Sequence, residues 1–322
     1  MQDRYGREID YLRISITDRC NLRCRYCMPN GMAEELSHSQ VLRYEEFVRL
    51  AGIFAGLGFK NFRVTGGEPL VRRDAVAFVA ALKKLPGAER VAMTTNGMLL
   101  EKLGPALKDA ELDAVNISLD TTDPALSAAI CGVPDVVPQV IKGIETMRGL
   151  GVKVKLNAVL LRDIESSIPG LLKFAEGGVP VRFIELMPIG FGRRDSGISS
   201  EEAIGIIRSI YPDLKPTDTK QGSGPARYFK SAGLAAPIGI IDAVSNRFCE
   251  NCNRVRLTSS GKLKPCLCYD QGVELAPLLR GGASDAELSE VIKECIFNKP
   301  KQHCFEDISE ISESKLMSQI GG

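Results

Sequence analysis

Six short apolar or alternating runs recur along the first part of the chain: Tyr11–Thr17, Asn61–Thr65, Arg90–Thr95, Ala114–Asp120, Lys153–Leu160 and Val181–Met187. Between them, Tyr44–Leu57, Asp74–Leu85, Leu99–Ala110, Pro138–Leu150 and Ser167–Ala175 carry apolar residues three and four apart, as a helix with one buried face requires. Strands and helices alternating in this way bury their apolar faces when the strands run parallel and the helices cover the sheet. The pattern predicts an α/β fold, either an open doubly wound sheet or a complete or partial β/α barrel.

Each strand candidate leads into a polar or glycine-rich element: Cys20–Cys27, Gly66-Gly67-Glu68-Pro69, Thr94-Thr95-Asn96-Gly97, Ser118-Leu119-Asp120, Asn157 and Glu185-Leu186-Met187-Pro188. In a barrel or part of one, the carboxyl ends of the strands share a face, and these six elements would converge on it. After about Tyr211 the pattern changes to the Pro-, Thr- and Gly-rich Pro212–Pro225, then short strands around a second cysteine group, then a helical pattern over Asp285–Asn298. This places a boundary near residue 215, dividing the chain into residues 1–215 and 216–322. The last fifteen residues read as weakly ordered.

The formal net charge of +1 gives no basic field for nucleic acid or an anionic membrane, so an anionic ligand must be held by a local group of cations. No stretch approaches the roughly 20 apolar residues of a membrane span, and Met1–Arg13 is too charged for an export signal. A cytoplasmic location is expected. Six of the ten cysteines fall in two short-spaced triads, which is how metal ligands rather than disulfides are arranged. His38 and His303 lie outside both triads, which argues against a Cys/His zinc finger.

The first triad is Cys20-x-x-x-Cys24-x-x-Cys27, just after the first strand. Three thiolates on one loop suit a 4Fe-4S cluster, since three irons are satisfied and the fourth stays open to a non-protein ligand. A structural zinc ion would call for a fourth protein ligand. With Tyr26 just before the last cysteine, and with Gly66-Gly67-Glu68-Pro69 one strand later, the segment resembles the radical S-adenosylmethionine (SAM) superfamily. The resemblance implies that SAM chelates the open iron and that one electron splits it into methionine and a 5′-deoxyadenosyl radical. It also implies that Tyr26, Gly67, Ser118 and Met187 contact SAM, with Glu68 able to accept from its amino group.

The second triad is Cys249-x-x-Cys252 with Cys266 after thirteen further residues, and between them Arg254 and Arg256 alternate on one strand face. Cys268 could complete a zinc site or pack as a small apolar side chain, and packing is the favoured reading. Cys131, Cys295 and Cys304 stand alone in sequence and read as ordinary thiols. Together with Gly224-Pro225-Ala226-Arg227-Tyr228, Ile238–Ile241, Gly261-Lys262-Leu263-Lys264 and the terminal Gly321-Gly322, this triad resembles the GTP 3′,8-cyclase family of molybdenum cofactor biosynthesis over essentially the whole chain. A radical SAM peptide-modifying enzyme is the runner-up; the arginine pair beside three cysteines speaks against it.

The resemblance implies a second 4Fe-4S cluster on Cys249, Cys252 and Cys266 whose open iron binds guanine. It implies GTP contacts from Arg13, Arg63, Thr94, Lys155, Arg254, Val255 and Arg256. Arg13, Arg254, Arg256, Gly321 and Gly322 would be catalytic, the diglycine tail entering the pocket. Guanidinium groups suit a triphosphate because they stay charged and bind phosphate in a bidentate way. An external one-electron donor of flavodoxin or ferredoxin type and a downstream cyclic pyranopterin monophosphate synthase are the implied partners, and a homodimer is allowed for. The expected architecture is a partial, open β/α barrel of about six βα units with a C-terminal cluster-binding extension, since an open barrel admits a triphosphate more readily.

Overall fold

The computed structural model describes residues 1–29, 35–192, 197–219 and 221–321. All six anticipated strands form: β1 (Tyr11–Ser15), β2 (Asn61–Thr65), β3 (Arg90–Thr95), β4 (Ala114–Ser118), β5 (Lys153–Leu160) and β6 (Val181–Glu185). They pair in chain order and in parallel. Six shorter strands follow: β7 (Lys215–Thr217), β8 (Arg227–Lys230), β9 (Ile238–Ile241), β10 (Arg254–Leu257), β11 (Lys262–Lys264) and β12 (Val273–Glu274). They extend the same sheet at both ends, in the order β12-β11-β10-β1-β2-β3-β4-β5-β6-β9-β8-β7. β9 joins β6 and β10 joins β1, both parallel, and the two do not pair with each other. The result is a partial β/α barrel whose sheet stays open, with β12 and β7 as its two edges.

The covering helices are α1 (Tyr44–Gly56), α2 (Ala75–Lys83), α3 (Leu100–Asp109), α4 (Pro124–Cys131), α5 (Val136–Gly149), α6 (Ile168–Glu176) and α7 (Ser200–Ile210). α4 and α7 were not anticipated, although both carry start signals. Asp123 accepts from the Ala125 and Leu126 amides with Pro124 at the first helical position, and Ser199 forms a capping box with Glu202. α4 is only eight residues long and runs almost directly into α5, which hides its period. α8 (Leu275–Arg280), α9 (Asp285–Phe297) and the one-turn α10 (Met317–Ile320) complete the fold. Among the described residues no single helix is long and apolar enough to cross a membrane.

The two-residue strand period divides the side chains into two sets. Leu12, Ile14, Phe62, Val64, Val91, Met93, Val115, Ile117, Leu156 and Phe183 are fully buried and join Phe47, Leu50, Phe54 and Phe78 of the helices in one core. Each large apolar side chain removed from water there contributes about 1.5–3 kcal/mol. The alternate residues, including Arg13, Arg63, Thr94, Asn116, Ser118, Lys155, Asn157 and Arg182, line a cavity. A barrel interior is ordinarily filled by branched apolar side chains. A polar, cationic interior is instead shaped to enclose a polar ligand.

The C-terminal segment departs from the expectation of weak order. Glu313, Ser318 and Ile320 are buried, and Ile320 packs with Ile189, Cys268, Cys304 and Phe305 in a small second core. Gly321 lies inside the barrel in the left-handed region (φ 76°), and a Cβ there would stand 3.0 Å from the Ser15 Cβ. Gly322 lies outside the described residues.

Candidate functional site: a cavity between two cysteine triads

The loop after β1 carries the first triad. Its backbone is fastened to the end of α4, where the Arg23 amide donates to Cys131 O (2.8 Å) and the Arg25 amide to Ile130 O (3.0 Å). The Gly66-Gly67 turn after β2 runs directly along it: the Gly67 amide donates to Thr17 O (2.7 Å) and the Glu68 amide to Arg19 O (2.8 Å). A Cβ on Gly67 would sit 2.3 Å from the Arg19 carbonyl oxygen. The need for glycine is therefore explained by chain-on-chain packing that seats the cysteine loop. Glu68 is buried and accepts from the Leu70 amide (3.0 Å), Thr95 Oγ1 (2.8 Å) and the Asn96 amide (2.6 Å), tying the ends of β2 and β3 together. Burial pushes its carboxyl up to about 7.

Burial likewise pushes the thiols of Cys20 and Cys27 up, to about 11 and about 12. Cys24 is raised by a hydrogen bond with Cys131 and by burial. Cys131, isolated in sequence, is thus a neighbour of the first triad. Tyr26 donates from its hydroxyl to Asp120 Oδ2 (2.9 Å), so the ring braces the floor of the loop.

Cys249, Cys252 and Cys266 line the same cavity as Cys20, Cys24 and Cys27. The His303 amide donates to Cys249 Sγ (3.4 Å). Burial pushes the Cys252 thiol up, but Lys299 and Arg254 outweigh it and bring the group down to about 6. Cys268 is fully buried in the second core, 2.9 Å from Cys304 Sγ, which corrects the reading of Cys304 as a lone thiol. Among the described residues no three His, Cys, Asp or Glu side chains gather as one metal ion requires. A 4Fe-4S cluster engages its thiolates through three separate irons and asks for more widely set donors. Both triads, opening onto a shared cavity, offer such a donor set.

Cations occupy the space between. Register places Arg256 of β10, Arg13 of β1 and Arg63 of β2 side by side on three neighbouring strands. Lys155, Arg182, Arg90, Arg254 and Lys299 add to the cationic lining. Arg63 donates to Tyr11 Oη, Met93 O (3.2 Å) and Thr94 Oγ1 (3.4 Å), Arg182 to Asn157 Oδ1 (2.6 Å), and Lys155 to Gln221 O. Arg256 and Arg13 both donate to Gly321 O, Arg13 at 3.4 Å. These partners are neutral, so the crowded charges suppress one another. Burial and the adjacent Arg182 and Arg90 lower Lys155 to about 7, and burial lowers Arg182 and Arg256 to about 10. Such a group of buried cations is completed by a polyanion.

Residues 14–175 match the model of the radical SAM superfamily, and residues 179–305 match that of Molybdenum Cofactor Synthesis C. The chain is 40% identical to a GTP 3′,8-cyclase of Clostridium perfringens (strain 13 / Type A), 43% to one of Heliobacterium modesticaldum and 42% to one of Moorella thermoacetica, each alignment covering 100% of both chains. It belongs to the GTP 3′,8-cyclase family. The crystal structure of Streptococcus suis SuiB bound to S-adenosylmethionine has the same fold, with a TM-score of 0.66 at 17% identity over 96% of this chain and 76% of that one. Membership in the radical SAM superfamily brings SAM and an iron–sulfur cluster as cofactors.

In this member of the GTP 3′,8-cyclase family, the anticipated Arg13, Tyr26, Arg63, Gly67, Thr94, Ser118, Lys155, Met187, Arg254 and Arg256 all line the cavity with the six cysteines. Val255 does not: its side chain is 1% exposed in the hydrophobic core, so its main chain alone could meet a ligand. Arg182 was missed, although a single arginine between Val181 and Phe183 is a readable signal of an inward strand position. Arg90 and Lys299 were missed as well, and nothing local marks Lys299.

Proposed function

We propose that the protein converts GTP to (8S)-3′,8-cyclo-7,8-dihydroguanosine 5′-triphosphate, the opening step of molybdenum cofactor synthesis, using SAM and two 4Fe-4S clusters. The observation that carries this reading is the row of cations from Arg256 through Arg13 and Arg63 to Lys155 and Arg182, set in one cavity between two cysteine triads. The cavity runs from the first triad past these cations to the second, so SAM and a nucleoside triphosphate would share one continuous space.

Cys20, Cys24 and Cys27 would hold the cluster that engages SAM, and Cys249, Cys252 and Cys266 the cluster that engages guanine. When bound, the cluster and SAM would supply a 5′-deoxyadenosyl radical. The hydrogen of ribose carbon 3′ passes to 5′-deoxyadenosine, carbon 3′ bonds to guanine carbon 8, and one electron from the external donor with one proton completes the 7,8-dihydro product. The chain positions the reactants. Arg63, Lys155 and Arg182 bind phosphate oxygens, Thr94 and the Val255 main chain add neutral contacts, and Tyr26, Gly67, Ser118 and Met187 shape the SAM side. Arg13, Arg254 and Arg256, with Gly321 and Gly322, close the pocket over the ribose and exclude water. An external one-electron donor of flavodoxin or ferredoxin type, a downstream cyclic pyranopterin monophosphate synthase, a homodimer and a cytoplasmic location belong to the same reading. So does a division near residue 215, with residues 216–322 as the cluster- and substrate-binding region.

Anaerobic reconstitution with SAM, dithionite and GTP deuterated at ribose carbon 3′ tests it. Deuterium should appear in 5′-deoxyadenosine. SAM cleavage without deuterium transfer, while GTP is bound, would exclude the assignment.

A further inference from the structure

Lys299 is 3% exposed, lines the cavity, and donates from Nζ to two carbonyls, Arg254 O (2.9 Å) and Pro265 O. Pro265 immediately precedes Cys266, and Arg254 lies two residues after Cys252. The ammonium therefore bridges the two chain segments that carry these cysteines. Arg7, also buried, donates to Cys249 O (2.9 Å), Pro300 O (2.6 Å) and Lys301 O (2.9 Å). The segment 299–301 is thereby fastened to Cys249 through Arg7 and to the chain beside Cys252 and Cys266.

The charges of these two residues are not equally balanced. Arg7 has Asp3 at 2.6 Å, while the partners of Lys299 are carbonyl oxygens, and among the described residues no carboxylate pairs with it. A buried ammonium with neutral partners is costly unless an anion completes it. The anion at hand is the triad itself, since thiolates are the metal-binding form of cysteine. The first triad has mixed surroundings: the buried acids Glu68 and Asp120 face it, while the Arg23 guanidinium donates to the Cys20 carbonyl (2.6 Å).

We propose that Lys299 is the counter-charge of the second triad, a positioning residue that holds Cys252 and Cys266 toward the cavity and raises the reduction potential of the cluster they carry. Net charge and local electrostatics are among the levers that set cluster potentials. An electron added to the second centre is stabilised by Lys299. This inference rests on the two-cluster reading above.

The test is a redox titration of the anaerobically reconstituted protein, followed by electron paramagnetic resonance, with iron and sulfide content measured in parallel. Lys299→Met should shift the second centre to lower potential, or lose that cluster, while the signal and potential of the first stay as they were. Lys299→Arg, which keeps the charge, should restore both cluster content and potential. Full cluster content with an unchanged second potential in Lys299→Met would overturn the proposal. So would loss of the second cluster in Lys299→Arg and Lys299→Met alike, because shape rather than charge would then decide. Unmodified protein holding a single cluster would instead refute the two-cluster reading itself, and the iron and sulfide content shows which has failed.

Discussion

Arg13 and Arg256 stand at paired positions of the neighbouring strands β1 and β10, and their guanidinium groups donate to the same acceptor, the carbonyl oxygen of Gly321. Two charged side chains that share a strand register thus hold the end of the chain inside the barrel.

This contact leads to a prediction for Gly321→Val. The backbone there is left-handed, which costs an L-residue about 1–2 kcal/mol, and the new Cβ would crowd Ser15. Cyclised product per SAM cleaved should fall by about tenfold or more. The ratio of product to 5′-deoxyadenosine, by liquid chromatography, measures it.

Lys155 should make GTP binding depend on pH. Its ammonium is lowered to about 7 by burial and by Arg182 and Arg90. Phosphate binds the protonated form, and that form declines as pH rises through about 7. Affinity should therefore weaken between about pH 7.5 and about pH 9, by no more than about tenfold per pH unit. Calorimetric titrations should show the trend in the unmodified protein and a flatter one in Lys155→Arg.

Removing Glu68 should loosen both the fold and the SAM site. Glu68→Ala leaves the amides of Leu70 and Asn96 without their acceptor, at about 1–3 kcal/mol for each buried donor. A fall of several degrees in melting temperature and weaker SAM binding are expected. Glu68→Gln, which keeps one acceptor oxygen, should lie between.

Cys268→Ala should keep the full iron content of the unmodified protein, because this sulfur packs with Cys304, Ile189 and Ile320 and does not itself line the cavity. The lost packing should cost about 1 kcal/mol, visible as a melting point a few degrees lower. Iron content falling together with activity would make Cys268 a ligand.

Most of the barrel was legible because strand and helix periods are local. β1 to β6 appear where Leu12, Phe62, Val91, Val115, Leu156 and Phe183 alternate with polar residues. The same alternation announced Arg254 and Arg256 as partners on one face, and it would have announced Arg182. What escaped was set by contacts between distant segments. Neither the pairing of β9 with β6 and β10 with β1 nor the meeting of Cys24 with Cys131 has a signature within a short window. The terminal segment looked loose because its residues are mostly polar. Its order comes from Ile320 in the second core and from two arginines more than sixty residues away.

The strands that flank β1 to β6, β9 on one side and β10 on the other, are both made after every residue of the first triad. Chains emerge from the ribosome amino end first, and sheets built from distant strands form slowly. The loop of Cys20, Cys24 and Cys27 therefore exists as an unshielded segment through most of synthesis. A chain ended before β10 would lack Arg254 and Arg256, and with them one wall of the cavity. The cations of β10 therefore reach the cavity only after the loop they face has long been made.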